Sequence, residues 1–124
     1  MTDQVCIVVG GGKGMGAAIA REMKKRNYKL SLMSPSVNCE KLADELDGIA
    51  YRGRAENPSD TDNLIKFTME KFGRIDSLLI HVGGPPKGDL LEISEDDWKK
   101  ANEMVLMPVT VSYTHLTLPT IYSV

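Results

Sequence analysis

Residues 5–16, VCIVVGGGKGMG, pass from an unbroken apolar, mostly β-branched run into a glycine cluster interrupted only by Lys13 and Met15. A strand with one wet face alternates polar and apolar side chains, so a continuous apolar run predicts a strand covered on both faces, as in a parallel sheet. The residues that follow change period. Between Met15 and Arg26, Gly16, Ile19, Ala20 and Met23 fall at i, i+3, i+4 and i+7, with Arg21, Lys24 and Lys25 directed elsewhere. This is an amphipathic helix, and its small residues Gly16, Ala17, Ala18 and Ala20 allow it to lie close against the strand before it.

The same alternation continues outward. Lys29–Met33 reads as a second strand, about Asn38–Leu46 as a helix, and Ile49–Arg52 as a short third strand. Asn57-Pro58 offers an N-cap followed by proline at the first helical position, Ile65, Thr68, Met69 and Phe72 form an apolar stripe, and Gly73 ends the helix. Ser77–Val82 reads as the fourth strand, and Gly83-Gly84-Pro85-Pro86 cannot continue it. Ser94 with Asp97 resembles a capping box, and Ile93 with Trp98 sits at staple spacing, so a further helix begins there. Through about Thr110 the chain is β-α-β-α-β-α-β-α, which predicts a parallel sheet joined by crossover helices.

Composition narrows the function classes. The 124 residues are 42% apolar and 26% charged with net charge −2, which suits one globular domain and supplies no positive field for nucleic acid or an anionic membrane surface. Arg21, Lys24, Lys25 and Arg26 form the one dense basic run, on the solvated side and end of a helix. Cys6 and Cys39 are too few and too far apart for a disulfide scaffold or a metal site, and the expected setting is a reduced, cytoplasmic one. No basic-then-apolar leader opens the chain, and no apolar run approaches the roughly 18 residues of a membrane span.

The glycine cluster carries the chemistry. Gly10, Gly14 and Gly16 fit G-x-x-x-G-x-G, and Gly12, Gly14 and Ala17 also fit G-x-G-x-x-A. Glycines permit positive-φ turns and remove Cβ atoms, so a pyrophosphate can reach backbone N–H groups and the positive end of a helix dipole. Both spacings point to a dinucleotide; a glycine-rich strand–helix turn of some other α/β protein is the alternative for the motif alone.

Three segments in register resemble the short-chain dehydrogenase/reductase family. Val9–Gly16 is similar to its T-G-x-x-x-G-x-G, with Val9 in place of Thr. Gly73–Gly83, GRIDSLLIHVG, is similar to its G-x-I-D-x-L-V-N-N-A-G, and Glu95–Trp98 to its E-x-x-W. The resemblance covers nearly all of residues 4–110. It implies a Rossmann-type doubly wound sheet of about four strands in order 3-2-1-4, with Leu78-Leu79-Ile80 as an apolar edge. It also implies a nicotinamide cofactor, a small carbonyl or alcohol substrate, and a homo-oligomer for the whole protein.

The expected cofactor contacts are Gly10, Gly12, Lys13, Gly14, Met15 and Gly16 in the loop, Ser34 and Ser36 after the second strand, and Val82, Gly83 and Gly84 beside the nicotinamide ribose. NADP is favoured over NAD, because Ser34-Pro35-Ser36 carries no carboxylate to repel an additional phosphate and Lys13 lies where NADP-preferring relatives often have a basic residue. Several positions depart from the family pattern. Ile80-His81-Val82 replaces Asn-Asn-Ala, Arg54 falls where an Asp often stands near the adenine, and Val105 occupies the place of a central-helix Asn. His81 reads as structural, with a catalytic imidazole as the alternative. The family's proton donor is a Tyr with a Lys four residues later, but Tyr28, Tyr51 and Tyr113 are followed by Leu32, Ala55 and Thr117. No catalytic residue is therefore assigned.

All 15 basic and 17 acidic residues precede position 111. The stretch 111–124, VSYTHLTLPTIYSV, is β-prone and uncharged, and VSYTHLTLPT resembles one translated frame of a transposon-end sequencing adapter. The expected organisation is an incomplete cofactor-binding domain over 1–110 and a non-native tail over 111–124, with a genuine extension as the alternative. Three functional classes stay open from sequence: a truncated reductase, a cofactor-sensing module without turnover, and a fragment with no independent role.

Overall fold

The computed structural model describes residues 4–82 and 87–110. Strand β1 (Val5–Val9) lies inside a parallel sheet, between β2 (Lys29–Ser34) and β4 (Ser77–Ile80), and β3 (Ile49–Arg52) flanks β2. The order is β3-β2-β1-β4, as the resemblance implies. Helices α1 (Gly14–Lys25), α2 (Asn38–Leu46) and α3 (Pro58–Phe72) make the crossovers, and α4 (Glu95–Ala101) follows β4. The chain steps outward from β1 to β3 and then returns to the opposite side of β1. That reversal opens a crevice beyond the carboxyl ends of β1 and β4, where doubly wound folds bind their ligands.

The unbroken apolar run of β1 is explained by burial on both faces, since each of its five residues is at most 1% exposed. Cys6 and Val8 pack with Leu30 and Leu32 under α1 and α2, against Ala17, Ala20, Leu42 and Leu46. Ile7 and Val9 pack with Met33 on the other face, against Leu64 of α3. Alternation along one strand thus feeds two half-cores. Burial pushes the Cys6 thiol up to about 11, so it stays a protonated core group.

The starts of α3 and α4 follow their caps. The Asn57 side chain accepts from the Ser59 N–H at 3.0 Å, Pro58 opens α3, and Gly73 closes it at φ +75°. Ser94 Oγ accepts from the Asp97 N–H at 3.2 Å and starts α4.

Two sequence expectations shift. The buried face of α3 is Thr61, Leu64 and Thr68, while Met69 is 45% exposed. Thr68, part of the expected stripe, is satisfied there: the buried Ser31 hydroxyl of β2 meets Thr68 Oγ1 at 2.7 Å, and Thr68 in turn donates to the Leu64 carbonyl at 2.7 Å, whereas the Thr61 hydroxyl is buried without a partner among the described residues. Strand β4 ends at Ile80 rather than Val82, because Ile80 pairs with Val9, the last residue of β1. All four β4 residues are half-buried, and among the described residues no strand covers its outer edge.

Asp76 anchors the start of β4. Its Oδ2 accepts from the Val5 N–H at 2.8 Å and from Arg74 Nε at 2.9 Å, and the arginine and the backbone donor hold its carboxyl below the usual carboxylate range.

Beyond Ala101 the backbone widens into a π-helical turn over Asn102–Leu106, with the Met107 N–H bonded to the Asn102 carbonyl. Pro108 supplies the cause. It has no N–H for the Met104 carbonyl, and its ring excludes a regular α-helical approach to that carbonyl. Met15 is 66% exposed and Trp98 53% exposed. Among the described residues no helix is long and apolar enough to cross a membrane, and no group of three His, Cys, Asp or Glu side chains is placed to hold a metal ion.

Candidate cofactor site

A cavity of about 420 Å³ lies at the carboxyl end of the sheet, over the crevice that the strand order creates. Its floor is the β1–α1 loop. Gly10 sits at φ +80°, a conformation that L side chains rarely adopt, and a Cβ there would run into the His81 carbonyl. A Cβ at Gly16 would run into the Gly10 carbonyl. The loop therefore folds back on itself and against the end of β4 as bare backbone. Two bonds pin it to the sheet, from the Gly10 and Gly11 N–H groups to the Met33 carbonyl at 2.8 and 3.2 Å.

Helix α1 begins without a side-chain cap. Lys13 at the N-cap is extended and makes no capping bond, and no acidic residue lies in the first turn. Helices α3 and α4 have both a side-chain cap and acidic first-turn residues. The first N–H groups of any helix lack intrahelical partners. At α1 they are left with their positive end available to an anion, above a loop stripped of Cβ atoms. A pyrophosphate fits this cradle.

The sequence-predicted residues separate into two groups. Gly10, Gly12, Lys13, Ser34, Ser36 and Val82 all line the cavity. Gly14, Met15 and Gly16 do not line it but form the first turn of α1 beneath it, with Gly16 buried and Met15 turned outward. Gly83 and Gly84 lie outside the described residues, as does the stretch 111–124.

Gly12 faces the second strand, since a Cβ there would come within 2.8 Å of Ser34 Oγ. Ser34 is only 6% exposed, and its hydroxyl donates to the Ser36 carbonyl at 3.1 Å. Ser36 Oγ accepts from the Asn38 N–H at 3.4 Å, which leaves its own proton available for donation. Of the two hydroxyls expected to serve a ligand, the exposed Ser36 is the one in position to donate. Cys39 supports this turn from below, its buried thiol donating to the Ser36 carbonyl at 3.3 Å.

Among the cavity residues that escaped the sequence reading as ligand contacts are Arg54 and Glu56 from the β3–α3 connection, and Met104 and Pro108 from the π turn and the helical residues after it. Pro108 is fully buried. A proline inside an apparent helical stretch was the visible signal for a local change of helix type. Arg54 stands out in the sequence only as lying where an Asp often stands near the adenine, and Glu56 carries no signal, because an irregular connection places both. His81, read as structural, also lines the cavity, and its N–H donates to the Val9 carbonyl at 2.9 Å.

The family model described as short chain dehydrogenase matches residues 4–122. Oxidoreductase UcpA of Escherichia coli K12 is 35% identical over 102 residues, covering 78% of this chain and 39% of its own. A 3-oxoacyl-[acyl-carrier-protein] reductase of Synechocystis is 30% identical over 116 residues, covering 88% of this chain and 47% of its own. A short chain dehydrogenase from Bacillus anthracis superposes with a TM-score of 0.89 at 22% identity, over 98% of this chain and 51% of that one. The chain spans less than half the length of these two curated relatives. The glycine floor, the strand order and these three likenesses agree, and the chain belongs to the short-chain dehydrogenase family.

Proposed function

We propose that this chain is the dinucleotide-binding part of an NAD(P)-dependent oxidoreductase acting on a carbonyl or alcohol substrate in the manner of a 3-oxoacyl reductase, and that it takes NADP in preference to NAD. The observation that carries the reading is the uncapped start of α1 beside a loop in which Gly10, Gly12 and Gly16 have no room for a Cβ. In this reading the pyrophosphate rests on the backbone of Gly12–Gly16, under the Lys13 ammonium. The adenosine half lies toward Ser34 and Ser36, and the nicotinamide half toward Val82, Gly83 and Gly84.

When bound, the nicotinamide supplies or accepts the hydride. The chain's own residues hold and orient it. Lys13 contributes positive charge at the rim, the Ser36 hydroxyl donates toward the ribose side, and the apolar walls of Met33, Met104 and Pro108 exclude water from one flank. Preference for NADP rests on the absence of a carboxylate in Ser34-Pro35-Ser36 together with Lys13.

The domain runs to about residue 110. The whole protein is a cytoplasmic homo-oligomer, and a Tyr-x-x-x-Lys outside this chain provides its proton donor.

Titration of the purified 124-residue chain with NADPH and NADH, followed by nicotinamide fluorescence, tests the reading. Saturable binding, tighter for NADPH, with no reduction of a 3-oxoacyl thioester is the expected result. A chain that is helical by circular dichroism yet binds neither dinucleotide would overturn it.

A further inference from the structure

We infer that Arg54 is the residue that distinguishes a phosphorylated from an unphosphorylated adenosine ribose at this site; the inference rests on reading the cavity as a dinucleotide site. The Gly53 N–H donates to the Ser34 carbonyl at 3.0 Å, so the exit of β3 is tied to the exit of β2 and Arg54 stands on the same rim as Ser34 and Ser36. Its backbone is fixed, because the Arg54 N–H donates to Asp60 Oδ2 at 2.9 Å. Its side chain is loosely held. The side chain is 68% exposed, and its contact with Glu56 is a single one at 3.4 Å, the kind of exposed pair that contributes little.

Charge around the cavity favours an anion at this end. Lys13 and Arg54 are the cations among its described lining residues, and Glu56 is the carboxylate among them. With the pyrophosphate on the glycine floor and the nicotinamide half toward β4, the strand order leaves the β2 and β3 exits for the adenosine half. A ribose bearing free hydroxyls gives the guanidinium no charge to meet. A phosphate monoester there offers nearly two negative charges and three acceptor oxygens, and a planar guanidinium can engage two of them at once. Glu56 is then a like charge beside the guanidinium, one that the phosphate must outcompete.

The test compares NADPH and NADH binding to the full 124-residue chain and to its Arg54→Gln, Arg54→Lys and Glu56→Gln variants, with circular dichroism to verify that each is folded. Arg54→Gln should weaken NADPH about tenfold, the loss expected of one charge-assisted contact, and leave NADH within about twofold. Arg54→Lys should recover part of the NADPH affinity, and Glu56→Gln should tighten NADPH without affecting NADH. Equal weakening of both dinucleotides by Arg54→Gln would overturn the inference and assign Arg54 to the shared adenine or to the fold. No change in either would overturn it as well. Both results leave the dinucleotide reading standing, whereas a folded wild-type chain that binds neither dinucleotide overturns both.

Discussion

The hydroxyl pair under α3 offers a quantitative test of how the sheet and helix are joined. Thr68 Oγ1 donates its proton to the Leu64 carbonyl, so Ser31 is the donor in the 2.7 Å contact between the two hydroxyls. The two side chains are fully buried, at 0% exposure, and their deletion should therefore be asymmetric. Thr68→Val keeps the shape of Thr68 but strands the Ser31 proton in a site without water, at a cost of about 2 kcal/mol. Ser31→Ala removes the donor and leaves Thr68 bonded to Leu64, at a cost of about 1 kcal/mol. The double variant removes both polar groups and should cost no more than about 1 kcal/mol, because replacing a bonded pair by apolar groups of similar shape is close to neutral. Urea denaturation followed at 222 nm reads these directly, a 2 kcal/mol loss moving the midpoint by about 1 M. Additive single effects, or a Thr68→Val variant more stable than Ser31→Ala, would refute the assigned direction of the hydrogen bond and its isolation from solvent.

Two further predictions concern the frame of the site. Gly10→Ala meets both a positive φ and the His81 carbonyl, and should cost about 2–4 kcal/mol and abolish measurable dinucleotide binding. Thermal melts paired with the fluorescence titration would refute this if the variant melted and bound like the wild type. Asp76 is held below its usual carboxylate range, first by Arg74 and then by the Val5 N–H, so its contribution is present above the unfolded value of 3.8 and is lost as pH falls through the lower folded value. Asp76→Ala should orphan the fully buried Val5 N–H at a cost of about 1–3 kcal/mol at pH 7 and should flatten the acid limb of the stability curve. Stability measured from pH 7 down to pH 2.5 in both proteins checks the sign.

Sequence and structure agree most closely where one physical demand dominates. Val5–Val9 had to be covered on both faces, Pro58 and Gly73 had to bound a helix, and Gly10 and Gly16 had to remain without side chains, so strands, the ends of α3 and the glycine loop were all legible. Where two demands compete, the pattern misleads. Met69 continues an apolar stripe in the sequence, but α3 buries Thr61, Leu64 and Thr68 and leaves Met69 half in solvent. Val82 looks like strand, yet β1 has no residue left to pair with it. Ser34 and Ser36 look equivalent, and only the hydrogen-bond geometry shows that one hydroxyl is already committed. Arg54 and Glu56 reach the cavity through an irregular connection whose path no periodicity records.

The π turn before Pro108 changes the phase of the helix that contains it. Each residue of an α-helix advances about 100° around the axis, and a π turn absorbs one additional residue, so the angular count kept from Glu95 to Ala101 slips by nearly that amount beyond Leu106. A helical wheel drawn through the whole stretch would therefore place Pro108 on a false face. The slip lets one continuous helical segment present its capped, charged start to solvent and a buried proline to the cavity at the carboxyl end of the sheet, without a loop between them.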